Sequence, residues 1–365
     1  MSTNRHDWLA DLAALSSRIA SLNLTSKLPQ KNFGTTGALR NQAAYNLSAS
    51  ANHNAAIARW IDDLPATTAT SQIEKLLGDL TTDRSRTTYG AFSELAAYGA
   101  FARAGLPIRI QVPMSGHQIL NPNGSDLDGE VELNNCILFD VKGFGLQDYL
   151  IEELLQRLSG DFSPDCIVAE GTWDVPITLL EDLLGAPGYE GLKTELKKGL
   201  HTRARRCGLE LVRRPPQKVQ ISVSSHNPYA AAEQHADYAF RFAKQFPRRR
   251  RFLLVFVYHT WLGGFGRHVN FAGGTDTFLR AFARRTFLQF REDRKNRSFG
   301  VTRVAASRLL SGLLFIDAWQ DKKGPRNANL FLNPNAKHPL SKLDRDALQF
   351  NSKWLIIDDF KHDFY

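Results

Sequence analysis

Beyond residue 90 the chain alternates regularly between helical patterns and short apolar or β-branched runs, an order that few fold classes accommodate. Helical patterns occur near 90–104, 146–158, 190–206, 229–246 and 275–290. The runs between them have the length and residue types of strands: IRIQV, DCIVAEG, KVQISVSS, RFLLVFVYHTW and GLLFIDAW. This alternation predicts an α/β fold, with a central mixed β-sheet flanked by helices on both faces.

The 365 residues divide by pattern into three parts. Residues 1–85 are helical and polar, and they form either a small helical subdomain or an N-terminal wrap on the main domain. Residues 86–330 contain the alternating pattern and are expected to form the main domain. Residues 331–365 are rich in turn residues at their start, NLFLNPNAKHPLSKLD, and we expect them to close the domain as a loop and a helix.

The sequence disfavours several classes of protein. No stretch approaches the ~20 apolar residues that span a bilayer, and the first residues lack the pattern of a signal peptide. The three cysteines, Cys136, Cys166 and Cys207, are far apart and form no CxxC pair or zinc-spaced cluster with histidine. We therefore expect a cytoplasmic protein with reduced thiols and no membrane partner.

The stretch SDLDGEVELNNCILFDVKGFG, residues 125–145, has the pattern of two short strands joined by a turn, yet it carries charges where a sheet normally presents apolar side chains. Side chains two apart in a strand point the same way, so Asp140 and Lys142 are expected to share one face. A carboxylate is thereby placed beside an ammonium.

The turn of this hairpin predicts a second carboxylate nearby. If Asn134-Asn135 forms the turn, residues 127–129 lie across from residues 140–142, which brings Asp128 close to Asp140. Two adjacent carboxylates repel each other unless a cation lies between them. Their oxygens would form a hard site of the kind that Mg²⁺ prefers, with positions open to water and phosphate.

A third carboxylate is expected from the preceding helix. In AFSELAAYGAFA, residues 91–102, Glu94 is the only charged side chain, and so apolar a helix should be buried. Gly99 and Ala100 would let this helix pack close to the sheet. Because a buried carboxylate is costly unless paired or metal-bound, Glu94 either joins the hairpin acids or is satisfied by an arginine or a backbone donor.

In the order helix, strand, hairpin and helix, Glu94, Asp128 and the tripeptide DVK at 140–142 resemble the PD-(D/E)xK nuclease superfamily, over less than a quarter of the chain. The resemblance implies a restriction-endonuclease-like core. It also implies that Asp128 and Asp140 bind Mg²⁺, with Mn²⁺ able to substitute. It further implies that Lys142 positions or activates the attacking water and that Glu94 joins the metal site.

The sequence departs from the superfamily pattern in three places. No proline directly precedes the first aspartate, since Pro122 lies too far upstream, and SDLDG offers both Asp126 and Asp128 for one ligand position. We favour Asp128, because its place inside the strand and its separation from Asp140 suit the hairpin better. The helix after Lys142 also lacks the QxxxY pattern of some exonuclease-like members, which disfavours that branch.

Positive charge is concentrated in the second half of the chain. The net charge is +9, and residues 201–303 alone hold 21 Lys and Arg against 6 Asp and Glu. Such segregation indicates a polyanionic partner, and arginine suits phosphate because its planar donors can bind two oxygens. We expect the nucleic-acid-binding residues to be Arg203, Arg205, Arg206, Arg213, Arg214, Arg248, Arg249, Arg250, Arg251, Arg284 and Arg285. The alternative for the run 248–251 is a solubilising cap on the apolar strand that follows it.

These features together predict a metal-dependent nuclease, with DNA favoured over RNA as the nucleic-acid partner. Carboxylate-bound Mg²⁺ beside an ammonium can generate a nucleophile and stabilise charge on phosphate oxygens. An endonuclease of restriction, defence or repair, acting as a homodimer or with a partner protein, is compatible with the sequence. Three alternatives stay open: a catalytically degenerate nucleic-acid-binding protein on the same fold, an RNA-directed nuclease, and an unrelated α/β protein whose carboxylates form a structural ion network.

Overall fold

The computed structural model describes residues 4–35, 38–39, 41–133, 135–171, 177–206, 209–216, 228–235, 237–259, 274–288, 297–318, 328–349 and 355–363. The expected strand KVQISVSS, at 218–225, lies outside these ranges, as do the turn residue Asn134 and Cys207. Along the described parts of the chain, no helix combines the length and the apolar character needed to span a bilayer.

Within these ranges the strands are β1 (Gly34–Thr35), β2 (Ala38–Leu39), β3 (Ile108–Met114), β4 (Ser125–Val131), β5 (Ile137–Phe144), β6 (Cys166–Gly171), β7 (Arg203–Arg206), β8 (Leu209–Arg214), β9 (Phe252–Tyr258), β10 (Arg297–Ser298), β11 (Val301–Thr302), β12 (Gly312–Asp317), β13 (Ala328–Leu332) and β14 (Leu355–Asp358). The α-helices are α1 (Arg5–Leu15), α2 (Ser17–Leu22), α3 (Leu24–Lys27), α4 (Gln42–Ser48), α5 (Ala51–Asp62), α6 (Thr70–Leu80), α7 (Ser85–Arg103), α8 (Leu146–Asp161), α9 (Ile177–Leu184), α10 (Ala186–Leu196), α11 (Pro228–Gln234), α12 (Gly274–Phe287), α13 (Arg303–Ser307) and α14 (Lys342–Gln349). The segments Tyr238–Gln245 and Lys361–Asp363 are 3₁₀ helices.

Seven strands form the central sheet, in the order β14-β13-β12-β9-β5-β4-β3. Strands β5, β9 and β12 run parallel, as do β13 and β14, and the remaining neighbours pair antiparallel. Strand β9 is buried along its whole length, which explains why its sequence FLLVFVY is apolar without alternation. The prediction of an α/β fold with a central mixed sheet flanked by helices is confirmed.

A separate sheet of three antiparallel strands, in the order β6-β8-β7, contains part of the basic sequence. Its strand β7 lies where we expected the end of the helix at 190–206, and that helix instead ends at Leu196. The sheet pairs Arg205 with Glu210 in direct register. Opposite charges across an antiparallel pair stabilise strands, and this tertiary pairing overrides the helix propensity of arginine-rich sequence.

Two other elements differ from the expected ones. The pattern at 229–246 forms α11 and then the 3₁₀ helix Tyr238–Gln245, not one continuous helix. The C-terminal segment contains α14 as expected, but it also supplies the end of β13 and all of β14 to the central sheet. All five residues of β13 are buried, as expected for a strand covered on both faces, and its run ANLFL is apolar except for Asn329.

The N-terminal helices and the sheet share one apolar layer. Trp8 of α1 and Phe92 of α7 belong to the same buried cluster as Val255 of β9. A buried histidine pair joins the two parts, with His53 Nε2 of α5 lying 2.8 Å from His259 Nε2 at the end of β9. Burial lowers the pKa of His53 to about 4, so both imidazoles are neutral at pH 7 and one donates to the other.

The opposite face of the sheet carries a layer rich in phenylalanine. Phe144 of β5 lies 5.3 Å from Phe256 of β9 and 5.8 Å from Phe282 of α12, measured between ring centroids. Strand β5 divides its apolar side chains between the two layers, since Val141 faces the first layer and Leu138 faces this one. Its charged residues are thus enclosed between two apolar layers.

Helix α7 lies on β5 at close range. A Cβ at Gly143 of β5 would be 2.5 Å from the ring of Tyr89, so only glycine allows this approach. Gly99, which we expected to let α7 approach the sheet, faces Trp60 of α5 instead, where a Cβ would be 1.9 Å from the indole. The small residue that brings Glu94 to the sheet is therefore on the strand.

Candidate active site

The hairpin formed by β4 and β5 is paired only near its turn. The ladder joins Val131 with Ile137 and Gly129 with Phe139, and it ends there among the described residues. The expected register, with residues 127–129 opposite 140–142, is wrong by one residue. Beyond the ladder, the Val141 N–H donates to the Asp128 carboxylate at 2.6 Å, in place of a backbone carbonyl of β4.

A kink in the neighbouring strand β3 lies beside Asp128. Gln111 has a φ of 51°, in the left-handed region that non-glycine residues rarely adopt within a strand. The β3–β4 ladder pairs Ile110 with Gly129 and Val112 with Leu127, and it passes over the opposed Gln111 and Asp128. Ile110 faces one apolar layer and Val112 the other, although regular strand residues two apart share a face. At the kink, the side chains of both strands therefore change the face of the sheet to which they point, and Asp128 lies at this position.

Asp128, Asp140 and Lys142 form a compact cluster in the gap between β4 and β5. The Lys142 ammonium lies 2.6 Å from Asp140 Oδ2 and 4.0 Å from Asp128 Oδ2. The side chains of Lys142 and Asp128 are 18% and 20% exposed, whereas that of Asp140 is 0% exposed. Asp140 is thus fully buried, while Lys142 and Asp128 beside it are partly accessible to solvent.

Asp140 is fully buried, and its two carboxylate oxygens differ in their surroundings. Oδ2 contacts the Lys142 ammonium at 2.6 Å, whereas Oδ1 accepts no hydrogen bond from a described residue. Burial raises the pKa of Asp140, the ammonium opposes this and Asp128 adds to it, so that the pKa is about 8. A hard cation such as Mg²⁺ or Mn²⁺ would satisfy both oxygens, so this donor set fits the predicted metal.

Glu94 approaches the same cluster from α7. Its side chain is partly buried, and no cationic partner lies within ion-pairing distance among the described residues. Burial and the neighbouring Asp128 raise the pKa of Glu94 to about 8, against the opposing charge of Lys142. One turn further along α7, the Tyr98 hydroxyl donates to the Asp128 carbonyl at 3.0 Å. The helix thereby anchors the strand and presents a third carboxylate.

Lys142 remains charged in this environment. Burial lowers its pKa, but Asp140, Asp128 and Glu94 raise it by more, and the net shift is upward. Its ammonium also lies 5.5 Å from the ring centroid of Phe242, a cation–π contact from the 3₁₀ helix Tyr238–Gln245.

The carboxylates do not form a closed metal cage in this conformation. Over the ranges that the structure describes, no group of three or more His, Cys, Asp or Glu side chains is positioned to hold an ion. The ammonium of Lys142 lies beside both Asp128 and Asp140 and neutralises part of their charge. Metal binding would require this ammonium to move aside, which its flexible four-carbon stem allows.

Asp126, the alternative ligand, is not part of the cluster. It is exposed, pairs with Pro113 of β3 and lines an open depression beside Ser125. The structure therefore brings together Glu94, Asp128, Asp140 and Lys142, and leaves Asp126 at the surface.

Glu130 is a buried hairpin carboxylate that sequence reasoning missed. It forms ion pairs with Arg109 of β3 and with Arg250, the latter at 3.3 Å. It is 3% exposed, and its two guanidinium partners satisfy it. The available signal was its position in the strand two residues from Asp128. One acid of the hairpin thus belongs to a structural ion network.

Most of the arginines expected to bind nucleic acid are paired with acids of the chain itself. Arg248 instead donates to the Ile119 carbonyl at 2.9 Å, and Arg249 is exposed and makes no ion pair with a described residue. The ion pairs are Arg203 and Arg205 with Glu210, Arg206 with Glu195, Arg213 with Asp165, Arg214 with Glu170, Arg250 with Glu130, Arg251 with Asp344, Arg284 with Asp363 and Arg285 with Glu233. Exposed ion pairs of this kind are weak, and an arginine can leave its acid to bind a phosphate. The pairs nevertheless make the excess positive charge of these segments smaller than the sequence indicates.

The cluster combines the buried Asp140, the partly exposed Asp128 and the Lys142 ammonium that contacts them, with Glu94 nearby on a packed helix. If the ammonium moved aside, such a set could hold a divalent cation, and it could stabilise negative charge on a phosphate. No family model, no curated protein and no solved structure matches this chain.

Proposed function

We propose that the protein is a metal-dependent nuclease of the PD-(D/E)xK type, which hydrolyses phosphodiester bonds in DNA in preference to RNA. The observation that carries the proposal is the state of Asp140, a fully buried carboxylate that contacts the Lys142 ammonium through Oδ2 and leaves Oδ1 without a hydrogen bond from a described residue. A stable fold rarely retains so costly a group without a use for it. Restriction, defence against foreign DNA and repair are all compatible roles.

Asp128 and Asp140 would hold the divalent cation, and Glu94 would complete the set. The bound cation would supply Lewis acidity and lower the pKa of water, which generates a nucleophile near neutral pH. Asp140 is fixed by burial and Asp128 by the bond it accepts from the Val141 N–H, so neither carboxylate has to be ordered when the substrate binds.

The ammonium of Lys142 supplies positive charge for the phosphate. It is charged beside Asp140 and Asp128, because these carboxylates raise its pKa. It can donate to the attacking water or to a phosphate oxygen and stabilise the charge that develops there.

The test is cleavage of supercoiled, linear and single-stranded DNA, and of RNA, with Mg²⁺ or with excess chelator. Asp140→Asn and Lys142→Ala should abolish the Mg²⁺-dependent cleavage, and Asp128→Ala should be far more damaging than Asp126→Ala. Asp126→Ala is the matched control, since it removes an exposed carboxylate two residues away. Full activity in either of the first two variants, or equal cleavage with chelator, would refute the nuclease.

A second candidate is a nucleic-acid-binding protein on the same fold that does not cleave. The position of Lys142, which lies where a cation would be held, favours it. This candidate predicts tight, salt-dependent binding without cleavage under any metal, and no loss of affinity in Asp140→Asn.

A further inference from the structure

A basic cleft lies at the turn end of the catalytic hairpin. Its volume is about 580 Å³, within the ~300–1,000 Å³ range of sites that bind small ligands. Asn135 and Cys136 of the hairpin form one wall, the run 249–251 a second, and residues 337–341 of the C-terminal segment a third. Four of these residues are Lys or Arg, one is His338, and the cleft lining includes no acid.

The walls of the cleft are held by buried partners. Arg251 donates to the Pro339 carbonyl at 3.1 Å and pairs with Asp344, which is only 2% exposed. Arg250 is held by the buried Glu130. The acids that balance these two arginines therefore lie behind the wall, while the guanidinium groups border the cleft. Such a cleft is preorganised, because its cations need little ordering when an anion binds.

Two further cations border the cleft and are not committed to acids. Arg249 and Lys337 are both exposed, and neither forms an ion pair with a described residue. Arg249 follows Arg248, whose backbone carbonyl lies 3.3 Å from the His338 imidazole. The backbone N–H of Lys337 donates to another backbone carbonyl at 2.7 Å. The backbones of both residues are thus fixed while their charged ends are free to bind phosphate.

The cleft lies at a defined distance from the candidate active site. Cys136 in its wall precedes Asp140 by four residues of extended chain, about 13 Å at ~3.3 Å per residue. Leu138 of the same strand donates to the Arg251 carbonyl at 3.0 Å, so the two sites are parts of one rigid sheet. At ~3.4 Å of helix axis per phosphate on one strand, the separation corresponds to roughly four nucleotides.

We infer that this cleft is a phosphate subsite, in which Arg249 and Lys337 hold the substrate backbone about four nucleotides from the bond that is cut. The inference deepens the proposed function, because it states where the polynucleotide is gripped. Binding at the cleft requires no metal and no cleavage, so it can be measured even if the protein is not a nuclease.

The test uses the double variant Arg249→Ser/Lys337→Ser and a 16-base-pair duplex in excess chelator. Two lost phosphate contacts should flatten the slope of log affinity against log salt by roughly 1.8, at ~0.9 per contact. Affinity at 0.1 M salt should fall roughly 10- to 100-fold. The matched control is Lys197→Ser/Lys198→Ser, which removes two exposed charges elsewhere and should leave the slope unchanged. All four residues are exposed, so both variants should melt within a few degrees of the wild type.

Shorter ligands separate a strand subsite from a site for a free phosphate compound. Inorganic phosphate, adenosine monophosphate and a four-nucleotide strand should all bind much more weakly than the duplex. The inference is overturned if the cleft variant keeps the wild-type slope, or if the control loses as much as the cleft variant does. It is also overturned if tight binding of adenosine monophosphate depends on Arg249 and Lys337 but binding of the duplex does not. If the cleft variant flattens the slope of log affinity against log salt but the protein shows no Mg²⁺-dependent cleavage, the phosphate subsite is supported and the proposed nuclease activity is refuted.

Discussion

The hairpin of the central sheet and the three-stranded sheet β6-β8-β7 both carry many charges, but they arrange them in opposite ways. In the small sheet, arginines and acids alternate at the surface and pair with one another, as Arg214 does with Glu170. In the hairpin, Asp128 and Asp140 share the single ammonium of Lys142, partly or wholly out of solvent and with Glu94 of α7 nearby. The two regions therefore differ in whether their charges are buried and whether each acid has its own basic partner. A count of charged residues in the sequence does not show this difference.

The carboxyl pKa values express the same contrast. The hydrogen bond from Arg206 lowers the pKa of Glu195 at the edge of the small sheet, while burial raises the pKa of Asp140 to about 8. A lowered pKa means that the native state favours the charged carboxylate. A raised pKa means that the native state disfavours the charged carboxylate, so ionised Asp140 reduces the stability of the fold.

The largest expected effect separates the two regions by activity. Asp140→Asn should reduce Mg²⁺-dependent cleavage by about 10³-fold or more, because it removes a proposed metal ligand. Glu170→Gln also removes one carboxylate charge, from the small sheet, and should change kcat/KM by less than about threefold. Steady-state cleavage of a linear duplex compares them, and equal losses would break the distinction between the regions.

The second prediction concerns the stability of the metal-free protein. A carboxyl group whose pKa is higher in the folded than in the unfolded state stabilises the fold at low pH, and this contribution is lost as the pH rises through the folded pKa. For Asp140 the loss occurs between about pH 4 and pH 8. Asp140→Asn should therefore be more stable than the wild type in chelator. The difference should grow with pH by on the order of 1 kcal/mol per unit at most.

Urea unfolding at pH 5, 6.5 and 8 measures this difference, with Glu170→Gln as the control. Glu170→Gln should be neutral or slightly destabilising at all three pH values. A constant difference between Asp140→Asn and the wild type across this range would show that Asp140 is ionised without cost.

A third and smaller effect is expected at Gln111, whose positive φ turns the strand beside Asp128. Gln111→Val should weaken Mn²⁺ binding roughly tenfold and destabilise the fold by about 1–2 kcal/mol, since a β-branched residue resists this conformation. Gln111→Gly should keep both, because glycine adopts positive φ at little cost. Calorimetric Mn²⁺ titration distinguishes them. If Gln111→Gly also loses the metal, the amide side chain matters and the kink does not.

The smallest expected effect lies in the small sheet. Arg203→Ala should change the free energy of unfolding by less than about 0.5 kcal/mol, because Arg203 is 52% exposed and Arg205 still pairs with Glu210. Urea unfolding at low and at high salt measures it. A loss above 2 kcal/mol would show that the small sheet depends on its charges as the hairpin does.

Local pattern predicted much of this architecture. The apolar runs of β9 and β12 were correctly predicted to be strands, and the period of two placed Asp140 beside Lys142. The hairpin register was wrong by one residue, because the turn includes more residues than Asn134-Asn135 alone.

Three features that shape the site have no local signal. The kink at Gln111, the ion pairs of Glu130 and the contact of Gly143 with Tyr89 depend on segments far apart in the chain. The same is true of the paired arginines, whose acid partners come from other elements. Tertiary packing determines these features, and they cannot be predicted from the neighbouring residues in the sequence alone.

The place of β5 in the sheet has a consequence for synthesis on the ribosome. Leu138 pairs with Phe252, so one edge of β5 has no partner until roughly a hundred more residues have been made. At ~5–20 residues per second, that edge is open for roughly 6 to 20 s. An apolar strand left open for so long invites pairing with other nascent chains, and inward-pointing charges are a means of preventing it. Asp140 and Lys142 interrupt this edge, so the residues proposed for catalysis would also protect the unfinished chain from aggregation.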